Sequence, residues 1–239
     1  MKTTLLTQNT EANVILCLAG NLCSPMLYNQ VHFDGYKKIK IDYLRECPFG
    51  DVDRIAQWLI EWVRRKTFNK VVLAGYSAGG VIAIAAASKA PDLFNALILS
   101  NTGPSATGNS STNFVEELRE KGGEKAFYEI FFKNCFIVAP LPQLMDHLIN
   151  YAMECPLEKA IEVSKTLRER AYDSLISKYR NPVLILWGEK DKRRTLEALK
   201  KLEWCIPQAE THLLSAGHTP MWDCPKEYSR YANNFLKNI

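Results

Sequence analysis

Lys70-Val71-Val72-Leu73-Ala74-Gly75-Tyr76-Ser77-Ala78-Gly79, running on into the alanine-rich Gly80 to Ala90 and stopping at Pro91, is the stretch that decides the fold. The apolar run Val71 to Ala74 reads as a short buried strand, and Ala78 to Ala90, carrying Val81, Ile82 and Ile84, reads as a tightly packed helix. Between them stands a serine flanked by glycines. A chain that turns abruptly from strand to helix forces the corner residue into a strained conformation, and side chains at the flanking positions would collide with the turn. Gly75 and Gly79 remove that collision. The Ser77 hydroxyl then projects beyond the strand, and the amides at the start of the helix point toward any negative charge that forms there.

A serine hydroxyl is a weak nucleophile at neutral pH and needs a base, normally an imidazole oriented by a carboxylate. Of four histidines, His32 precedes the candidate strand Lys38 to Leu44. His147 falls in an amphipathic helical pattern, and His212 in the alternating Glu210 to Leu214. His218 stands in the loop Ser215-Ala216-Gly217-His218-Thr219-Pro220, after the last strand and before a C-terminal helix from Pro225 to Leu236. Loop placement frees it to turn toward the sheet end, so His218 is the expected base. The acid should follow another strand. Pro182 to Gly188 is the most strand-like run of the second half, and Glu189-Lys190-Asp191 follows it directly. Asp191 is the expected acid, with Glu189 the local competitor.

The order Ser, Asp, His, with each residue at a strand end, resembles the α/β-hydrolase superfamily. The resemblance rests on Gly75-Tyr76-Ser77-Ala78-Gly79, Trp187-Gly188-Glu189-Lys190-Asp191 and Ala216-Gly217-His218-Thr219-Pro220-Met221-Trp222, and extends over most of the chain. Ala96-Leu97-Ile98-Leu99-Ser100-Asn101-Thr102-Gly103 is similar to strand six of the esterase and enol-lactonase branch. The resemblance implies an α/β fold, with a mostly parallel central sheet flanked by helices and a helical cap inserted after strand six. It also implies a serine hydrolase that cleaves a carboxylic ester, lactone or related acyl bond through an acyl-enzyme. Haloalkane dehalogenases of similar architecture place an aspartate where Ser77 stands, so serine points to acyl chemistry. Two other readings stay open: a carbon-carbon bond hydrolase of a β-diketone-like substrate, and a non-catalytic small-ligand receptor on the same fold.

Acyl transfer needs donors for the tetrahedral oxyanion. One is the amide of Ala78, the residue after the nucleophile. By the resemblance the second comes from the loop after Val14 to Leu18, where Leu22 or Asn21 gives its backbone amide. Ala19 departs from the family pattern, which has a histidine before the glycine, and Arg45-Glu46-Cys47-Pro48-Phe49-Gly50 replaces a glycine-rich turn. Asp51 reads as the N-cap of a helix burying Ile55, Trp58, Leu59 and Trp62.

A chain of 239 residues, 47% hydrophobic, can bury one sizeable core, and alternating strands and helices call for one domain spanning residues 1–239. Its core comprises residues 1–102 and 181–239. From about 103 to 180 no strand is evident. Helical stretches broken at Gly122-Gly123, Pro140, Pro142 and Pro156 read as the cap. There Phe127, Tyr128, Phe131, Phe132, Phe136, Leu141, Leu144, Met145 and Leu148 supply apolar surface. Most of these should pack the cap onto the core, while Tyr76, Phe131, Phe132 and Met145 are candidates to line a pocket for a small, apolar ester or lactone. The cap's Lys and Arg residues alternate with acids and read as solvated, leaving no clamp for a highly anionic substrate.

The net charge of +4 is small and scattered, which argues against a nucleic-acid partner. No apolar run approaches the roughly twenty residues that span a bilayer. Met1 to Gln8 is too short and polar for a secretory segment. Seven cysteines without framework or metal-site spacing read as reduced thiols. A cytoplasmic protein that needs no metal or organic cofactor is the expectation.

Overall fold

The computed structural model describes residues 12–109 and 113–239; Met1 to Gln8 lie outside the described residues. Six strands are β1 (Ala12–Leu18), β2 (Lys37–Ile41), β3 (Phe68–Tyr76), β4 (Ala96–Ser100), β5 (Val183–Gly188) and β6 (Glu210–Leu214). They form one sheet in the order β2-β1-β3-β4-β5-β6, and every pairing is parallel. The strand counted as six in the esterase branch is β4 here. Burial follows from this order. β4 and β5 are buried at every residue, as a strand covered on both faces must be, and their sequences are correspondingly apolar. The edge strands β2 and β6 are exposed or half-buried at most positions, and they are the ones that alternate.

Helices α1 (Tyr43–Glu46), α2 (Val52–Arg64), α3 (Ala78–Lys89), α9 (Leu196–Cys205), α10 (Pro220–Asp223) and α11 (Pro225–Leu236) accompany the sheet. Every residue of α3 from Ala78 to Ala87 is buried, which is why its sequence has no polar face. The Asp51 carboxylate caps α2 by accepting from the Arg54 amide at 3.1 Å, as expected. The buried face of α2 is instead Val52, Ile55, Ala56, Leu59, Ile60 and Val63, with Trp58 and Trp62 half-buried beside it. A ring as wide as indole covers the seam without entering it.

Between β4 and β5 lie α4 (Phe114–Lys121), α5 (Lys125–Lys133), α6 (Pro142–Glu154), α7 (Leu157–Glu169) and α8 (Asp173–Ile176). Gly122 ends α4, Pro142 opens α6 and Pro156 precedes α7, so the breakers are element boundaries. Within this insert Tyr128, Phe131, Phe132 and Phe136 are buried, whereas Leu141 is 76% exposed. The helix α7 is pinned to the rest of the chain through polar bonds. The Lys159 ammonium donates to the carbonyls of Leu44 and Cys47, and the Val52 amide donates to Thr166 Oγ1 at 3.2 Å. No described helix is long and apolar enough to cross a membrane.

Candidate active site

Ser77 sits at the corner between β3 and α3 with φ 53° and ψ −120°. The close packing that glycine permits is visible on both sides. A Cβ on Gly75 would come within 2.6 Å of the Gly80 Cα, and one on Gly79 would strike the carbonyls of Leu18 and Ala19 at the end of β1. Ser77 shares its positive φ with Leu22 (63°) and Asn101 (43°), the other non-glycine residues in this state among those described. All three follow adjacent strands, β1, β3 and β4, at the ends that face the site.

The parallel register places the ends of β3, β5 and β6 in one row, and there the three expected side chains meet. Ser77 Oγ lies 3.0 Å from His218 Nε2, and His218 Nδ1 lies 2.7 Å from Asp191 Oδ2. Asp191, rather than the exposed Glu189, turns inward. Its other oxygen accepts from the amides of Arg193 (2.7 Å) and Arg194 (3.1 Å), while Asn101 Nδ2 donates to Oδ2 at 2.7 Å. Asn101 is itself locked by accepting from the Gly188 amide at 2.9 Å. Burial pushes the Asp191 carboxyl up, but His218 and these amides outweigh it and hold it below the usual carboxylate range. An ionised Asp191 requires Nδ1 of His218 to donate, which leaves Nε2 to accept the Ser77 proton.

His218 is 3% exposed. Burial lowers its pKa below the ordinary imidazole value, partly opposed by Asp191 and reinforced by Arg193 and Arg194, so the ring is neutral at neutral pH. Its loop is held by the Gly217 amide donating to Asp223 Oδ2 at 2.7 Å. The other histidines lie elsewhere: His212 stacks on Tyr231, and His147 lies 3.4 Å from Ser24 Oγ.

Ala78 opens α3, so its amide has no carbonyl one turn back and faces the serine. Across from it, the Cys23 amide bonds to the Gly20 carbonyl at 3.0 Å, closing a tight turn with Asn21 and Leu22 at its centre. The positive φ of Leu22 is what the third position of such a turn demands. Their two amides are not used by the turn's own bond. The Asn21 side chain also ties this loop to α7, its Nδ2 donating to the Ala160 carbonyl and to Ser164 Oγ, both at 2.8 Å.

A cavity of about 70 Å³ opens at Ser77. Tyr76 and Phe131 line it, with Asn21 and Ala78; Phe132 and Met145 do not, since Phe132 is buried in the insert and Met145 packs against the core. The expectation of solvated basic residues is corrected by the structure. Arg168 of the insert lines the cavity, because the docking of α7 turns one face of it toward the serine; Arg193 and Arg194, which line it too, come from the turn after β5. Asn101, Asn109, Phe114 and Ser164 also escape a reading of the sequence. Only Asn101 leaves a signal there, in its position at the end of the strand next to β3. Phe114, Phe131 and Arg193 form a wall shared with an outer cavity of about 660 Å³.

Residues 43–230, well over half of the chain, match the model of the alpha/beta hydrolase family. The chain belongs to that family. Among curated proteins, this α/β-hydrolase is 23% identical to the uncharacterized hydrolase YugF of Bacillus subtilis, over 96% of this chain and 92% of that one. It is 26% identical to a 2-hydroxy-6-oxononadienedioate/2-hydroxy-6-oxononatrienedioate hydrolase of a Pseudomonas species, over 69% of this chain but only 62% of that relative's length. The enol-lactonase of Burkholderia xenovorans LB400 superposes with a TM-score of 0.85, covering 96% of this chain and 93% of that one. Its 15% identity makes that likeness one of fold.

Proposed function

We propose that this α/β-hydrolase cleaves a small ester, lactone or related acyl bond with Ser77 as nucleophile, His218 as general base and acid, and Asp191 as the orienting carboxylate. The observation that carries this reading is the unbroken relay of 3.0 Å and 2.7 Å from Ser77 Oγ through His218 to Asp191. Ser77 Oγ attacks the carbonyl carbon while its proton passes to His218 Nε2. The carbonyl oxygen becomes an oxyanion, held by the Ala78 amide and by that of Asn21 or Leu22. Collapse breaks the acyl bond, and the leaving oxygen takes the proton from His218. Water then gives its proton to His218 and attacks the acyl-enzyme; the second collapse frees the acid and returns the proton to Ser77. No step calls on a metal or cofactor.

The helical insert acts as the cap, and its α7 and the α4–α5 aromatics shape the pocket. A reducing, cytoplasmic setting fits the free thiols at Cys17, Cys23, Cys47, Cys135, Cys155, Cys205 and Cys224. The Pseudomonas relative keeps carbon-carbon bond hydrolysis as the second reading, since that chemistry uses similar residues. Product analysis on ester, lactone and β-diketone panels separates the two. Ser77→Ala should abolish turnover of a p-nitrophenyl ester and labelling by a fluorophosphonate, a loss of about 10⁴-fold or more in kcat. Normal activity in that variant would sink the nucleophile assignment. Slow single-turnover labelling with tight ligand retention would favour a receptor over an enzyme.

A further inference from the structure

Both sides of the His218 loop are held, and by different parts of the chain. Toward the sheet, the Lys190 amide donates to the Ala216 carbonyl at 2.9 Å, and a Cβ on Gly188 would strike the carbonyl of Gly217. Toward the insert, the loop meets the connection between α5 and α6. Thr219 Oγ1 donates to the Cys135 carbonyl at 3.0 Å, a buried bond. The same connection lies close against Gly217, where a Cβ would come within 3.0 Å of the Cys135 carbonyl oxygen and 3.2 Å of the Ile137 nitrogen.

Asp223, at the end of α10, joins the two segments. Its Oδ2 accepts from the Gly217 amide at 2.7 Å, and the carboxylate also takes a hydrogen bond from the Ile137 amide. The Asp223 amide donates back to the Thr219 carbonyl at 3.0 Å, so residues 217–223 close a ring that contains His218. Burial pushes the Asp223 carboxyl up, and what opposes it is those two amides rather than a cation. A partly buried carboxylate without a countercharge is a costly way to join two segments. It gives each amide a charge-assisted bond, which a neutral acceptor would not.

We propose that Asp223 and Thr219 form a clasp through which the α5–α6 connection of the insert sets the position of His218, making both of them positioning residues for the general base. This deepens the hydrolase reading and rests on His218 being that base. Neither side chain lines the cavity at Ser77; both act through the backbone on either side of the imidazole. The ring must keep 3.0 Å to Ser77 Oγ and 2.7 Å to Asp191 Oδ2 at once, and a misplacement of about 1 Å costs on the order of a hundredfold in rate. The helix α5, from which the connection runs, carries Phe131 in the cavity wall. One element thus lines the pocket and fixes the base.

The clasp is tested with a p-nitrophenyl ester as substrate and with NMR of the low-field proton on His218 Nδ1. Thr219→Val keeps the shape of the side chain but not the donor; kcat should fall several-fold with KM little changed, and Thr219→Ser should restore it. Asp223→Ala should lower kcat about ten- to a hundredfold, with Asp223→Asn in between. In Thr219→Val and Asp223→Asn the Nδ1 resonance should move upfield as the bond to Asp191 loosens. Because both side chains fasten the same connection, their losses should not simply multiply in the double variant. Should Asp223→Ala fail to fold, Thr219→Val decides. Wild-type kcat in Thr219→Val, or a fall in melting temperature with the Nδ1 resonance unmoved, would overturn the proposal. The resonance is also read in Ser77→Ala. A wild type that a fluorophosphonate does not label, but whose Nδ1 resonance still moves in Thr219→Val, overturns the nucleophile assignment and supports the clasp.

Discussion

The sheet end and the insert above it contribute to the same cavity by different physics. At the sheet end, Ser77, Asp191 and His218 follow β3, β5 and β6, and parallel hydrogen bonding fixes their relative positions: Gly75 stands beside Leu99 and Gly188 beside Leu214. In the insert nothing repeats. Helices α4 to α8 contribute Phe114, Phe131 and Arg168 through the angle at which they dock, set by a few polar anchors and an aromatic cluster. On the proposed reading, the chemistry sits on the part whose geometry is over-determined, and the selection of substrate on the part whose geometry is negotiable.

The contrast is tested most severely at the sheet end. Asp191→Asn keeps the shape but presents an amide to His218, which favours the wrong tautomer, and kcat should fall about 10⁴-fold with the melting temperature little changed. A fall of less than tenfold in steady-state kinetics would mean that Asp191 does not orient the ring. Asn101→Ala removes a hydrogen bond to an ionised carboxylate and the lock on Gly188, worth about 1.5–3 kcal/mol, so kcat should drop roughly 10- to 100-fold. At the seam between the two regions, Asn21→Ala cuts the loop from Ala160 and Ser164. A neutral bond of about 1 kcal/mol predicts a several-fold loss in kcat for the smallest esters. Were KM alone to rise, α7 would be steering the substrate rather than the donor loop. The smallest effect is a shift of profile. With the pKa of His218 held down by burial, kcat/KM should stay flat through neutral pH as the pH falls, and decline only below the ordinary imidazole value of about 6.5. A stopped-flow pH series showing the decline above that value would contradict a neutral, buried base.

What could be read from sequence divides along the same line. Ser77, Asp191 and His218 were legible because strand ends announce themselves in apolar runs and breakers, and parallel strands carry those ends to one edge. The α2 face was legible in outline, yet Trp58 and Trp62 cover its seam, since helical spacing does not say how far a wide ring can enter. Arg168 was illegible for a sharper reason. In Leu157–Glu169 it stands among Glu158, Glu162, Lys165 and Glu169, as a solvated residue would. Only the bonds from Asn21 to Ala160 and Ser164 reveal which side of α7 faces the serine. Arg193 and Arg194 come just after Asp191-Lys192, where a run of basic residues in a turn looks like ordinary surface until Arg194 reaches the carbonyls of Ser105 and Thr107.

The three left-handed residues, Leu22, Ser77 and Asn101, bear on how this protein could be engineered. Each leucine- or serine-type residue in that state carries a conformational penalty of about 1–2 kcal/mol, with asparagine the mildest. All three stand on neighbouring strand ends. Glycine would relieve that penalty at position 22, but Leu22 is fully buried, and emptying its place in the core costs about 2–5 kcal/mol, more than the strain it removes. Libraries built for heat tolerance should leave positions 22, 77 and 101 untouched and seek their margin on the outer faces of α2, α9 and α11.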